Sequence, residues 1–212
     1  MSSKKYFDDV ASQWDKMQES FFSEAVREKA YTVANIQSGE IAADIGAGTG
    51  FITEGLIQRG LRVIAIDQSE AMLQELKKKF KSAGEIDYRK GEAEKLPVEG
   101  DSIDYVFANM FLHHVELPSI AIKEMVRILK PGGMLVITDM DEHNFEFLKK
   151  EQYDRWMGFR REDVKRWFVD AGLKDVVVDC VGESCCAPSC SGDEHASVSI
   201  FVASGKKDNK NV

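Results

Sequence analysis

The stretch "AADIGAGTG", residues 42–50, decides the fold of this 212-residue chain. An apolar run leads into it and a segment with helical spacing follows, so it predicts a strand, a tight turn and a helix. Gly46, Gly48 and Gly50 allow the turn and bring backbone N–H groups close to a ligand. The stretch therefore predicts the ligand-binding loop of an α/β protein.

The glycine spacing and an acidic neighbour narrow the choice of ligand. A dinucleotide-binding loop has the pattern G-x-G-x-x-G, whereas here Phe51 follows the third glycine and no glycine occupies the last position of that pattern. Asp44 opens the loop, and its carboxylate would repel a pyrophosphate but attract a positively charged amino-acid group. The loop therefore favours a nucleoside that carries positive charge.

Short apolar runs alternate with helical segments after residue 40. Such runs, bounded by turn residues, are typical of strands buried on both faces. The five runs are Ile41–Ile45, Arg62–Ile66, Ile86–Arg89, Tyr105–Ala108 and Met134–Thr138. We expect Pro131-Gly132-Gly133 to end a helix and to turn the chain into the fifth strand. The alternation implies right-handed crossovers and a parallel sheet.

The end of the chain breaks this alternation. Val176–Cys180 and Ser197–Ala203 are strand-like runs with no helical pattern between them, so they predict a hairpin. The predicted fold class is α/β, with a Rossmann-like seven-stranded sheet that is mostly parallel, an antiparallel last strand and helices on both faces. We expect one domain over residues 1–212, with a helical cap over 1–40, a core over 41–205 and a flexible tail over 206–212.

Composition and charge limit the possible partners. The chain is 43% hydrophobic and 30% charged, as ordinary globular proteins are. A formal charge of −8 argues against a nucleic-acid partner. The N-terminus does not resemble a secretory signal, and no apolar run approaches the length of a membrane span. We therefore expect a cytoplasmic protein with reduced thiols, acting as a monomer or homodimer.

Two further acidic residues follow predicted strands. Asp67, in "VIAIDQS", ends the second strand and lies 23 residues after Asp44. A carboxylate at that position can accept hydrogen bonds from both hydroxyls of a ribose. Glu92, in "GEAEKLP", follows the third strand. Acids after successive strands strengthen the prediction of a nucleoside site.

The sequence resembles the class I S-adenosylmethionine-dependent methyltransferases, and within them the small-molecule branch that includes the quinone-biosynthesis enzymes. Five motifs in the same order carry the resemblance: "ADIGAGTG", "VIAIDQSEAML", "GEAEKLP", "DSIDYVFANMFLHHV" and "ILKPGGMLVITD". The resemblance implies S-adenosylmethionine as cofactor and a small molecule as methyl acceptor.

The resemblance also implies roles for individual residues. The three glycines would wrap the methionine part of the cofactor, Asp44 would hold its ammonium group, and Asp67 would bind the ribose. The other residues implied to contact the cofactor are Gln68, Glu92, Ala93, Asn109 and Trp14. The family often has Asp where Glu92 stands. Tyr6, Phe7 and Trp14 belong to N-terminal helices that commonly cap the cofactor in this family.

Candidates for the acceptor site follow the fourth and fifth strands. His113 and His114 lie in "FLHHV", and Asp139 lies in "TDMDEH". Ligands of open α/β sheets bind at the carboxyl ends of the strands, and imidazole titrates near neutral pH. Either histidine could act as a base or bind the acceptor, or the pair could only line a wall.

The cysteines allow three interpretations. All four lie in "CVGESCCAPSC", which we expect to form a loop near the acceptor site. The loop could be inert, or Cys185, Cys186 and Cys190 could bind a soft metal ion, with His195 as a further ligand. In the third interpretation these thiolates hold arsenite as the methyl acceptor.

Two features leave the function partly open. Arg155, Trp156 and Phe159 could cover the acceptor, with Arg155 binding an anion, or could pack a helix on the sheet. The chain could also bind S-adenosylmethionine without catalysis. Methyl transfer to a small molecule is the expected function, with arsenite methylation and non-catalytic binding as alternatives.

Overall fold

A seven-stranded sheet forms the centre of the protein in the computed structural model. The structure describes residues 3–19, 21, 23–83, 85–189 and 192–209. Among these residues, no helix is long and apolar enough to cross a membrane.

The helices and strands follow the order that the sequence predicts. The helices are α1 (Ser3–Val10), α2 (Trp14–Gln18), α3 (Glu24–Ala34), α4 (Phe51–Gln58), α5 (Glu70–Lys79), α6 (Pro118–Ile128), α7 (Glu146–Glu151) and α8 (Arg161–Asp170). The strands are β1 (Ile41–Ile45), β2 (Arg62–Asp67), β3 (Ile86–Lys90), β4 (Ile103–Asn109), β5 (Leu129–Met140), β6 (Leu173–Pro188) and β7 (His195–Lys207). Short 3₁₀ turns cover Ala11–Gln13 and Leu112–His114.

The strand order is β3-β2-β1-β4-β5-β7-β6. The pairs among β1 to β5 are parallel, and β7 runs antiparallel to both β5 and β6. The predicted fold class, including the antiparallel last strand, is confirmed. The order reverses direction between β1 and β4, so ligands are expected at the carboxyl ends of these strands.

Helices cover both faces of the sheet because each buried strand is apolar on both sides. On one face, α3 and α4 pack through Tyr31 and Leu56 against Val63 and Phe107. On the other face, α6 and α8 pack against the alternate strand residues, as Phe168 does in the largest core cluster.

The expected turn at Pro131-Gly132-Gly133 is wrong. Helix α6 already ends at Ile128, and these residues lie inside β5. Pairing with β4 is interrupted between Leu129 and Met134, and Gly132 has a φ of +81°. The three residues therefore form a bulge, which only the pairing partner reveals.

The expected cysteine loop is also wrong in extent. β6 continues to Pro188 and β7 starts at His195, so most of that segment is a two-stranded ribbon. A register shift between Cys180 and Ser184 lets the ladder continue beyond the sheet. The backbone N–H of Cys186 also donates to the carbonyl oxygen of Phe21, at 3.0 Å. The ribbon therefore reaches the N-terminal cap.

The last strand extends two residues into the expected tail, because the side chain of Lys207 is held by hydrogen bonds. Its ammonium group donates to the carbonyl oxygens of Val126 and Leu129 and to the carboxylate of Asp101, at 2.7–2.8 Å. A cation at the carboxyl end of α6 satisfies carbonyl groups that the helix leaves unpaired.

Replacing Lys207 with Met should lower the free energy of unfolding by about 1–3 kcal/mol, because these carbonyl groups lose a charged donor. Urea denaturation measures the change. Lys206→Met removes an exposed cation from the neighbouring position and should have little effect. Equal losses in both variants would contradict this role for Lys207.

Candidate functional site

Three clefts meet at the carboxyl ends of the central strands. The loop cleft is lined by Asp44, Gly46, Gly48 and Trp14. The Glu92 cleft is lined by Asp67, Gln68, Glu92 and Ala93. The histidine pocket is lined by His113, Asp154 and Cys185 among apolar side chains. His114 lines all three.

Asp44 is buried beside the glycine loop because it lies at the carboxyl end of β1, directly before that loop. One carboxylate oxygen accepts hydrogen bonds from the backbone N–H of Thr53, at 3.0 Å, and from its hydroxyl, at 2.7 Å. Burial raises the pKa of Asp44 to about 7, against the lowering effect of these two bonds. A cation placed in the loop cleft would therefore favour the ionised carboxylate.

Asp67, at the end of β2, stands on the other side of the same loop. Its two oxygens accept hydrogen bonds from the backbone N–H groups of Gly48, at 2.9 Å, and Ser69, at 2.8 Å. Burial raises its pKa to about 6, although these bonds act in the opposite direction. Asp67 faces both the loop cleft and the Glu92 cleft, so it can serve a ligand that spans them.

The three glycines of the loop have different surroundings. Gly46 has a φ of +70°, and the ring of Phe111 lies against it: an added Cβ would stand 2.1 Å from Cδ2 of that ring. Gly48 faces the indole of Trp14. Gly50 caps α4 and packs on Leu76 and Phe80. Gly46 and Gly48 line the loop cleft, while Gly50 makes the close approach of α4 to α5 possible.

The N-terminal segment covers the loop, as the sequence predicts for a cap. The hydroxyl of Ser69 donates to the carboxylate of Asp8 at 2.6 Å, and the hydroxyl of Thr49 donates to Asp15. Phe7 and Trp14 contact each other edge to face and line both the loop cleft and the histidine pocket. The cap therefore forms a wall of both compartments.

The remaining residues predicted to bind cofactor also border these clefts. Gln68 lines both the loop cleft and the Glu92 cleft, and Glu92 and Ala93 line the latter. Asn109 ends β4 in the loop cleft, where its side-chain oxygen accepts a hydrogen bond from the hydroxyl of Thr138 at 2.7 Å.

His113 lies between two buried carboxylates. Its Nδ1 is 2.6 Å from Oδ1 of Asp139, and its Nε2 is 3.7 Å from Oδ1 of Asp154. Burial lowers the pKa of His113, but the charges of Asp139 and Asp154 outweigh it and raise the value to about 9. His113 is therefore protonated at neutral pH and is a poor base there.

His114 has the opposite electrostatic situation. Burial and the charge of His113 lower its pKa well below the usual value, so it is neutral at pH 7. Its ring meets Phe7 edge to face, with centroids 4.9 Å apart. Its Nδ1 is buried without a hydrogen-bond partner. Of the two predicted histidines, His114 is the one that borders every compartment.

The described thiols do not face one another. Cys185 is buried and lines the histidine pocket, Cys186 is its neighbour along the strand, and Cys180 is exposed. Successive strand side chains point to opposite faces, so Cys185 and Cys186 cannot both reach the pocket. Burial raises the pKa of Cys185 to about 12. Cys190 lies outside the described residues.

The segment with Arg155, Trp156 and Phe159, for which the sequence allows either a cover or packing, lies on the 3₁₀ turn Leu112–His114, called the histidine turn below. The indole N–H of Trp156 donates to the carbonyl oxygen of Val115 at 2.9 Å, and Phe159 is buried in the core. Arg155 borders the Glu92 cleft and lies 3.5 Å from a carboxylate oxygen of Glu116. Packing, the second of the two sequence interpretations, describes Phe159, whereas Trp156 stays 42% exposed.

Sequence reasoning missed Asp154 and Phe111. Asp154 lies in "YDRW", a stretch in which only the neighbouring Arg155 and Trp156 were predicted to have a role. Its carboxylate is 3% exposed, and a charged residue among aromatic ones was the available signal. Phe111, next to Met110 with its positive φ of +47°, gave no comparable signal.

Comparison with known proteins identifies the family. The family model described as "Methyltransferase domain" matches residues 43–137. A ubiquinone biosynthesis O-methyltransferase from Stutzerimonas stutzeri is 30% identical, over 66% of this chain and 68% of the relative. The chain belongs to the class I S-adenosylmethionine-dependent methyltransferases. This confirms the resemblance that the five motifs indicated.

Other relatives of this methyltransferase are longer. A chloroplastic 2-methyl-6-phytyl-1,4-hydroquinone methyltransferase from Oryza sativa is 31% identical over 76% of this chain but 47% of the relative. A demethylmenaquinone methyltransferase from Renibacterium salmoninarum is 33% identical over 66% of this chain and 59% of the relative. The chain thus spans about half the length of these curated relatives.

Solved structures share the fold of this methyltransferase. A chain from the complex of the Haloferax volcanii Trm112 methyltransferase activator with a methyltransferase matches with a TM-score of 0.79, at 19% identity and full coverage of both chains. Haemonchus contortus phosphoethanolamine N-methyltransferase 2, bound to S-adenosylhomocysteine, matches with a TM-score of 0.72 at 16% identity, over 86% of this chain and 52% of that one.

Replacing Gly46 with Ala should destabilise the protein more than the same change at Gly39. Both glycines have a positive φ, which costs about 1–2 kcal/mol for an L residue. Only Gly46 would also clash with Phe111, which should add about 1–3 kcal/mol. Urea unfolding of the two variants gives the difference, and equal losses would show that Phe111 does not constrain the loop.

Proposed function

We propose that the protein transfers a methyl group from S-adenosylmethionine to a small-molecule acceptor. The observation that carries the proposal is the pair of carboxylates on opposite sides of the glycine loop, the buried Asp44 and the partly buried Asp67. Desolvation raises the pKa of both carboxyl groups beside a cleft, and a cationic ligand there would favour their ionised forms.

The residues present suit S-adenosylmethionine. Asp44 would hold the ammonium group, and Asp67 would accept hydrogen bonds from the ribose. Glu92, Ala93 and Gln68 would face the adenine, because they line the cleft that continues from Asp67. The cofactor supplies a methyl group on a positively charged sulfur.

The histidine pocket would hold the acceptor. It adjoins the loop cleft through Phe7, Trp14, Met110 and His114, so the two reactants would meet there. Its apolar walls favour a hydrophobic acceptor and exclude water, and holding two reactants in line is the main contribution an enzyme makes to a direct displacement. His114, neutral and without a hydrogen-bond partner at Nδ1, can accept a hydrogen bond from an acceptor hydroxyl and so help to position it.

An organic acceptor such as a quinone precursor fits the pocket better than arsenite does. Three of the relatives described above are named for the methylation of a hydroquinone, a menaquinone precursor or a ubiquinone precursor. Arsenite would need several thiolates, whereas Cys185 is the described thiol in the pocket and burial keeps it protonated. The family names likewise do not favour non-catalytic binding.

The acceptor class, cellular location and oligomeric state that we propose are those expected from the sequence. The acidic charge supports a small-molecule acceptor over a nucleic acid, and we propose a cytoplasmic enzyme that works as a monomer or homodimer.

Methyl transfer from labelled S-adenosylmethionine to a reduced lipid-quinone extract tests the function. Asp44→Asn should lower the rate at limiting cofactor by roughly 10- to 150-fold, the equivalent of one charge-assisted hydrogen bond. Asp9→Asn changes an exposed carboxylate of the cap and should leave the rate unchanged. Label in methylarsenic alone, with arsenite and glutathione in parallel, would overturn the choice of acceptor.

Cofactor affinity should fall as the pH is lowered from about 7.5 to about 5.5. The ammonium group would bind the ionised form of Asp44 and the ribose hydroxyls the ionised form of Asp67, and the pKa values of these groups in the free protein are about 7 and about 6. Below each value the cofactor must displace a proton, so the dissociation constant should rise up to tenfold per pH unit for each group. Calorimetric titration measures it, and Asp44→Asn should flatten the upper part of the curve. A dissociation constant that stays constant over this range would contradict the roles of both carboxylates.

A further inference from the structure

We propose that His113, His114 and Asp154 form a binding site for a divalent transition-metal ion in the histidine pocket. These residues are the one group of three potential ligands that the described part of the chain brings together. The site lies beside the proposed cofactor site, with which it shares the side chain of His114 as a wall.

The distances suit a single ion. Oδ1 of Asp154 lies 3.7 Å from Nε2 of His113 and 3.6 Å from Nδ1 of His114. One ligand atom from each residue lies within 4.8 Å of the other two. Around a tetrahedral ion with bonds of 2.0–2.1 Å, neighbouring ligand atoms are about 3.4 Å apart. Small side-chain movements would therefore complete the coordination.

A second carboxylate orients the first ligand. Nδ1 of His113 lies 2.6 Å from Oδ1 of Asp139, which directs Nε2 towards Asp154. Metal-binding histidines almost always donate their other ring N–H to such a carboxylate or carbonyl group. Asp139 is fully buried and also accepts a hydrogen bond from the backbone N–H of His113. The pair thus has the arrangement of a carboxylate–histidine–metal unit.

Two of the proposed ligand atoms have no hydrogen-bond partner. Nδ1 of His114 and Oδ1 of Asp154 are both buried without a hydrogen bond. Polar atoms that are buried in this way need an explanation, and an ion between them would supply one. Binding would release the Nε2 proton of His113 to solvent, leaving two neutral imidazoles and one carboxylate around the metal.

The ligand set points to a class of metal. Two imidazole nitrogens and one carboxylate suit zinc or iron(II) and leave positions open for other ligands. The histidine pocket provides the space, and Cys185 borders it. Given the proposed function, an acceptor oxygen bound at an open position would be held beside the cofactor with a lowered pKa.

Zinc titration of the full-length protein, first treated with a chelator, tests the site. Competition with a chromogenic chelator should show one equivalent bound, and Asp154→Asn and His114→Ala should each weaken this binding at least 100-fold. Asp139→Asn, which leaves all three ligands in place, should weaken it 10- to 100-fold. His195→Gln removes an exposed histidine and should change nothing.

Two further readouts keep the result unambiguous. Cobalt(II) should give visible bands without a thiolate charge-transfer band, because the ligands are nitrogen and oxygen; Cys185→Ser then leaves the spectrum unchanged. Cofactor binding by Asp154→Asn would show that this variant is folded. If the wild-type protein bound zinc but not the cofactor, the proposed function would be refuted and the metal site would stand. Absence of stoichiometric zinc binding, or undiminished binding by Asp154→Asn and His114→Ala, would overturn the proposal.

Discussion

The contact between His113 and Asp139 organises the carboxyl edge of the sheet. It joins the turn after β4 to the end of β5, two neighbouring strands, through a 2.6 Å side-chain contact and a backbone hydrogen bond. A buried imidazolium held by carboxylates is costly to disrupt, because either partner alone would be an uncompensated charge. This contact fixes the position of His114, the residue at which the three clefts meet.

Two pairs of carboxylates with different partners lie at this edge of the sheet. Around the glycine loop, Asp44 and Asp67 receive hydrogen bonds from neutral groups, and no cationic side chain among the described residues pairs with them. Around the histidine turn, Asp139 and Asp154 have a histidine between them. Carboxylates without a cationic partner are suited to receive one from a ligand. The fold thus prepares one compartment for a positively charged ligand and supplies the other with its own positive charge.

Much of the fold could be predicted from the sequence because its signals are local. Alternating apolar runs and helical spacing indicated the parallel part of the sheet, and the two last strand-like runs without a helical pattern between them indicated the antiparallel last strand. Asp44 and Asp67 were predictable because each lies at the carboxyl end of its strand. The bulge at Gly132 and the long ribbon were missed, because both depend on pairing with a strand distant in sequence.

The site was predictable to a similar degree and for similar reasons. The histidines and Asp139 lie at strand ends, where topology places ligands. Asp154 was not found, because its position beside them depends on how the chain returns after α7. The packing of Phe111 on Gly46 is likewise a contact between two loops, and no spacing within either loop encodes it.

The hydrogen bond between the backbones of Cys186 and Phe21 links two segments that lie far apart in the sequence and that border the two compartments. One is the N-terminal cap over the glycine loop, and the other is the ribbon beside the histidine pocket. The cap cannot lift without breaking this bond or carrying the ribbon with it. A movement of the cap that opened the loop cleft would therefore also disturb the histidine pocket, which Cys185 and Ala187 of the ribbon line.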